Sequence, residues 1–83
     1  MKKFVVIGGK WFDKVNGNTY HTAKIIDTET GTIYYNRFQY GYGTHYLTTA
    51  REYIEKDLGI KNFEIINGGE LYGRKSDIKN GRF

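Results

Sequence analysis

Residues Tyr34–Leu58 read YYNRFQYGYGTHYLTTAREYIEKDL, and the fold is decided there. The first part continues a strand expected over Thr32–Gln39, rich in β-formers. Period two puts Ile33, Tyr35, Arg37 and Gln39 on one face and Tyr34, Asn36, Phe38 and Tyr40 on the other. Gly41-Tyr42-Gly43 then turns the chain, and Thr44 can cap a helix running to about Leu58. A second start is open at Thr49, which has capping-box spacing to Glu52. Tyr46, Leu47, Ala50, Tyr53, Ile54 and Leu58 recur at three and four residues as one apolar stripe, with Arg51–Glu55 and Glu52–Lys56 spaced to pair on the polar side. Gly59 is the expected stop.

Toward the N-terminus, Thr19–Asp27 alternates as a strand and joins Thr32–Gln39 through Thr28-Glu29-Thr30-Gly31, so the two predict an antiparallel hairpin. Lys3–Ile7 is a further strand, ended by Gly8-Gly9. Lys10–Asn18 reads as a connection whose Trp11 and Phe12 lie as a lid over the core, closing on the turn Asn16-Gly17-Asn18. Toward the C-terminus, Lys61–Ile66 is a strand ended by Asn67-Gly68-Gly69, and Glu70–Arg74 a short edge strand. The expected fold is α+β: a small, antiparallel-rich single sheet of four or five strands, ordered β-ββ-α-β(β), with one helix on one face. Residues 1–75 form one domain and residues 76–83 a flexible C-terminal tail. The face away from the helix is left uncovered, which predicts a homodimer.

An 83-residue chain buries only about 60–65% of its unfolded surface, so large side chains must supply the core. Eight tyrosines, five phenylalanines and one tryptophan do so. Thirteen basic against nine acidic residues leave a net charge of +4, which favours phosphates or an acidic protein surface. The absence of cysteine removes disulfides and thiolate zinc sites and suits a reducing interior. The apolar run Phe4–Ile7 is too short for a signal sequence and nothing reaches membrane-spanning length, so a cytoplasmic protein is expected, with no membrane partner.

The strand-to-helix junction is the candidate site. Gly41, Gly43, Thr44 and His45 can present backbone N–H groups to an anion at the helix N-terminus. Arg37 can pair with a phosphate, while Tyr20, Tyr40 and Tyr42 can stack on a base, with His21 nearby. The third glycine of a dinucleotide fingerprint is replaced by Tyr46, and the chain is too short for that fold. The signature and element order of an RNA-recognition sheet are missing too. One serine, Ser76, and two histidines outside any metal-ligand pattern leave no legible nucleophile–base pair. No catalytic residue, metal or cofactor is expected, and the reading is not an enzyme.

The motif Asn18-Thr19-Tyr20-His21 after Gly17, followed by Tyr40-Gly41-Tyr42-Gly43, Tyr46 and Thr49-Ala50, resembles a group of small uncharacterised proteins encoded by bacterial phages and prophages. The likeness covers residues 17 to 54. It implies an accessory binding protein of counter-defence type, working in the cytoplasm of the bacterial host, and it carries no catalytic residues. The expected ligand is anionic, a nucleotide or nucleic acid. The alternative is an anti-CRISPR-like inhibitor that holds a host defence nuclease or effector complex through an aromatic and basic surface.

Overall fold

A computed structural model describes residues 1–83. Strands β1 (Lys2–Asp13) and β2 (Asn18–Asp27) form a long antiparallel hairpin. The Asp13 carboxylate shapes its turn, accepting hydrogen bonds from the backbone N–H groups of Val15 and Asn16 and from the Asn16 amide. β1 does not end at Gly8-Gly9 as expected but runs through them. Both glycines are required by what lies above the strand. A Cβ on Gly8 would stand 2.6 Å from the Tyr46 ring, and one on Gly9 2.6 Å from the Phe83 ring. Trp11 and Phe12 consequently belong to β1, on its opposite faces, and do not form a lid in a connection.

The expected strand Thr32–Gln39 is two pieces, β3 (Ile33–Tyr35) and β4 (Gln39–Tyr40), both antiparallel to β2. Tyr35 pairs with Lys24 and Gln39 with His21. Between those pairs β2 advances three residues, from 24 to 21, while its partner takes four, from 35 to 39. One residue too many makes a bulge and shifts the alternation. Tyr40 therefore shares a sheet face with Tyr35, where simple period two would have separated them.

Helix α1 (His45–Lys56) follows, and β5 (Phe63–Tyr72) returns beside β1 and parallel to it. The sheet order is β3-β2-β1-β5, with β4 also on β2. The two C-terminal strands expected separately are one strand, interrupted by a register shift opposite Val6–Gly8. The result is a five-stranded, mostly antiparallel open sheet with one main helix, the α+β class that the sequence implies. No helix is long and apolar enough to cross a membrane.

The core lies between α1 and one sheet face, where Phe4, Val6, Ala23 and Ile25 meet Tyr46, Ala50 and Ile54, with Phe63 beside them. Leu47, Tyr53 and Leu58 pack at its margin, completing the expected stripe. Each large side chain buried there contributes roughly 1.5–3 kcal/mol. Tyr46 crosses the core and donates its hydroxyl to Asn67 Oδ1 at 2.9 Å, fixing the irregular part of β5. Thr44 is the N-cap position but makes no side-chain cap bond. At the other end Gly59 takes a left-handed φ of 68°, and the Ile60 N–H returns to the Ile54 carbonyl. The expected Arg51–Glu55 and Glu52–Lys56 pairs are not among the ion pairs; the Arg51 guanidinium stacks over Phe63 instead.

Residues 76–83, expected as a loose tail, are built into the fold. Helix α2 (Lys75–Lys79) crosses the sheet face opposite α1 and buries Ile78 completely. Beyond it the Phe83 ring covers Gly9 and meets Tyr35 edge-on, and Lys24 Nζ donates to the Phe83 carbonyl at 2.9 Å. The second face is thus partly covered by the chain itself. What stays open beside α2 is one cross-strand row, Ile66–Val5–Ile26–Ile33, a residue from each of four strands. Ile33 and Ile66 are both nearly half exposed.

Candidate functional site

Alternation along Arg37–Tyr40 sends the expected site residues to the two sides of the sheet edge. On the α2 side, the shifted register brings Phe38 and Tyr40 against rings that β1 and β2 already pair, since Trp11 is the partner of Tyr20. The ring centroids of Trp11 and Tyr20 are 5.8 Å apart, Tyr20 and Phe38 stack at 5.4 Å, and Tyr20 meets Tyr40 edge-on at 5.8 Å. Tyr42 extends the row, 6.5 Å from Tyr40. Lys75 caps the other end, with its ammonium 5.1 Å from the Trp11 ring. Exposure rises along the row: Trp11, Tyr20 and Phe38 are half-buried, whereas Tyr40 is 54% and Tyr42 70% exposed.

On the α1 side, Arg37 leaves the sheet at the bulge and faces a cleft of about 400 Å³ between the Asn36–Gln39 segment and the helix. Its polar wall is made by Arg37, Gln39, His45, Glu52, Lys56 and Asp57. Tyr53 is the single hydrophobic residue that lines it. Thr49 and Asn36 close the back, the Asn36 amide donating to the Thr49 carbonyl at 3.5 Å. The Asn36 Oδ1 atom is buried without a hydrogen-bond partner.

His21 and Gly41 do something different from what the sequence suggested. The buried His21 imidazole stands 3.2 Å from the Gly41 carbonyl through Nδ1 and 2.9 Å from the Thr49 hydroxyl through Nε2. A carbonyl only accepts, so Nδ1 carries a proton; in the neutral ring Nε2 then accepts the Thr49 hydroxyl hydrogen. Burial, opposed by the bond to Gly41 and reinforced by the charges of His45 and Lys10, holds its pKa below the ordinary histidine value. Gly41 has no room for a side chain: a Cβ would lie 2.6 Å from His21 and 2.9 Å from His45. Both ring nitrogens of His21 are engaged, so this residue clamps the turn and is closed to a ligand. Gly43, at φ 62° with open space around it, is there for the turn alone. The N–H of His45 is taken by the Tyr42 carbonyl and that of Leu47 by the Thr44 carbonyl, which leaves the exposed Thr44 without an evident anion cradle.

Of the expected residues, then, Tyr20, Tyr40 and Tyr42 fall on the ring row, Arg37 and His45 on the cleft, and His21, Gly41, Gly43 and Thr44 in the scaffold between them. Trp11, Phe38 and Lys75 join the row from outside the expected set. A continuation of the period-two pattern of β1 through Gly8-Gly9 would have brought Trp11 to the ring face, but the glycine pair reads as a turn. No group of three or more His, Cys, Asp or Glu side chains is arranged to hold a metal ion. No family model, curated protein or solved structure matches the chain.

Proposed function

We propose that this protein binds, without transforming it, single-stranded nucleic acid or a nucleotide, as a phage-type accessory protein of counter-defence. The observation that carries the reading is the ring row Tyr42–Tyr40–Tyr20–Trp11 with Phe38, increasingly exposed along its length and flanked by Lys75. Rings on a sheet face offer bases a stacking surface worth about 1–3 kcal/mol each, and they tolerate any sequence. The net charge of +4 favours the phosphate backbone. Trp11 is the only tryptophan, so its fluorescence reports on this row directly. Titration with short single-stranded oligonucleotides should quench it, the midpoint should move to higher concentration as salt is raised, and Tyr40→Ala should weaken binding about fivefold or more. Unchanged fluorescence with both DNA and RNA oligonucleotides rules the reading out.

A second reading, inhibition of a host defence nuclease or effector by direct binding, is favoured by the open row Ile66–Val5–Ile26–Ile33. An apolar strip of this kind suits a protein surface better than a phosphate backbone. A second copy of the chain could cover the same strip, giving the homodimer. Light scattering of wild type and Ile33→Glu identifies that occupant: a dimer that the substitution dissociates assigns the strip to self-association, and a wild-type monomer leaves it for a foreign protein.

A further inference from the structure

The cleft on the α1 side has charges of both signs and none of them is paired. The four ion pairs of the protein are Lys2–Asp27, Lys3–Glu64, Lys10–Glu70 and Arg82–Asp77. Arg37, Lys56, Glu52 and Asp57 take part in none of them, although all four line one concavity. Small-molecule sites commonly measure roughly 300–1,000 Å³, so about 400 Å³ is ample for one nucleotide unit. With Tyr53 as its only hydrophobic lining residue, the cleft does not suit an apolar guest.

A fitting ligand must bring an anion for Arg37 and Lys56 and hydrogen-bond donors for Glu52 and Asp57. Inorganic phosphate brings only the first. A sugar phosphate brings both, since its hydroxyls donate to carboxylates while its phosphate accepts from guanidinium and ammonium. The position of the cleft adds a further constraint. Phe38 and Tyr40 turn their rings to one side of the edge segment, while Arg37 and Gln39 line the cleft on the other. A nucleotide chain lying on the rings therefore reaches the cleft by rounding a single sheet edge. We infer that the cleft is a ribose-phosphate site, with the phosphate on Arg37 and Lys56 and the sugar hydroxyls on Glu52 and Asp57. The 2′-hydroxyl is the group by which such a site separates RNA from DNA.

The inference rests on the nucleotide-binding reading above, and the molecule holds a separate reporter for each side. Trp11 belongs to the ring row. His45 lines the cleft, and the only other histidine, His21, is buried behind it. Adenosine 5′-monophosphate and its 2′-deoxy counterpart would be titrated while the His45 imidazole NMR signals and the Trp11 fluorescence are followed. The expected result is a saturable movement of the His45 signals, with the deoxynucleotide weaker by about tenfold, the loss of one charge-assisted hydrogen bond. Arg37→Met and Lys56→Met should each weaken the His45 response tenfold or more at unchanged melting temperature, while Trp11 is still quenched by oligonucleotides. Equal affinity for both nucleotides overturns the ribose assignment. Trp11 quenching by oligonucleotides with motionless His45 signals overturns the cleft site and leaves the ring row standing. Silence of both reporters removes both readings.

Discussion

His21 and Thr49 are joined by a 2.9 Å hydrogen bond inside the protein, which ties the middle of β2 to the second turn of α1. His21 is buried, and burial disfavours the charged ring, so protonation of His21 works against the fold. The unfolded chain takes up that proton near pH 6.5, whereas the folded one, with its pKa lowered by burial, takes it only at lower pH. The stability from this group is therefore complete above about pH 6.5 and is lost as the pH falls from there through the folded value. Melting temperatures between pH 8 and pH 5 should be flat at first and then decline. His21→Gln should melt lower at pH 8 and lose most of that slope; an undiminished slope would assign it to other groups.

Lys10 is 2% exposed, paired with Glu70 and flanked by the rings of Tyr46 and Tyr72, whereas the Glu70 side chain is 42% exposed. The two ends of the pair are unequal for that reason. Lys10→Met replaces a buried charge by an apolar chain of similar length and should cost about 1 kcal/mol or less. Glu70→Ala strands the ammonium and should cost about 1–3 kcal/mol, discounted for the exposed partner. Urea denaturation of the two variants tests the order, and a reversed order would contradict it.

Gly8 lies beneath the Tyr46 ring so closely that a methyl group would meet three of its carbons at 2.6–2.8 Å. The ring is held at its far end by Asn67 and cannot retreat freely. Gly8→Ala should cost about 1–3 kcal/mol by overpacking. Gly17→Ala, which meets nothing but must take a φ of 70°, should cost about 1 kcal/mol through backbone strain alone. Denaturation midpoints of the pair separate the two causes.

Ile78 makes the C-terminal segment part of the folded unit. Ile78→Ala should destabilise the whole protein by about 2–5 kcal/mol, the range for truncating a buried aliphatic side chain. A tail without packing would leave the urea midpoint where it is.

The parts legible in the sequence were those governed by one local rule. The stripe on α1 and the alternation in β2 are periodic, and both appear as read. Gly8-Gly9 misled because a glycine pair marks a turn in most strands, whereas here it makes room for rings arriving from Tyr46 and Phe83, far along the chain. The tail misled for a related reason. A short segment holding one isoleucine has too little apolar content to announce burial, and Ile78 is buried only because the opposite sheet face is there to receive it. Period two already separates Arg37 and Gln39 from Phe38 and Tyr40, and the structure keeps that division. The pattern misplaces Tyr35, which shares the face of Tyr40, since no residue type marks where an edge strand takes one residue too many.

That surplus residue between Tyr35 and Gln39 acts as a phase switch for everything after it up to Gly41. Delete Asn36 while holding the flanking pairs, and the segment would run as regular strand, with Arg37 opposite Ala23 and Phe38 opposite Thr22 in the ladder and neither carried on a bulge. A change of a single codon, touching no aromatic residue, would therefore draw the whole edge segment back into the ladder of β2. The shape of this edge, and with it the cleft beside α1, is thus set by a length of one residue and would change with a single insertion or deletion there.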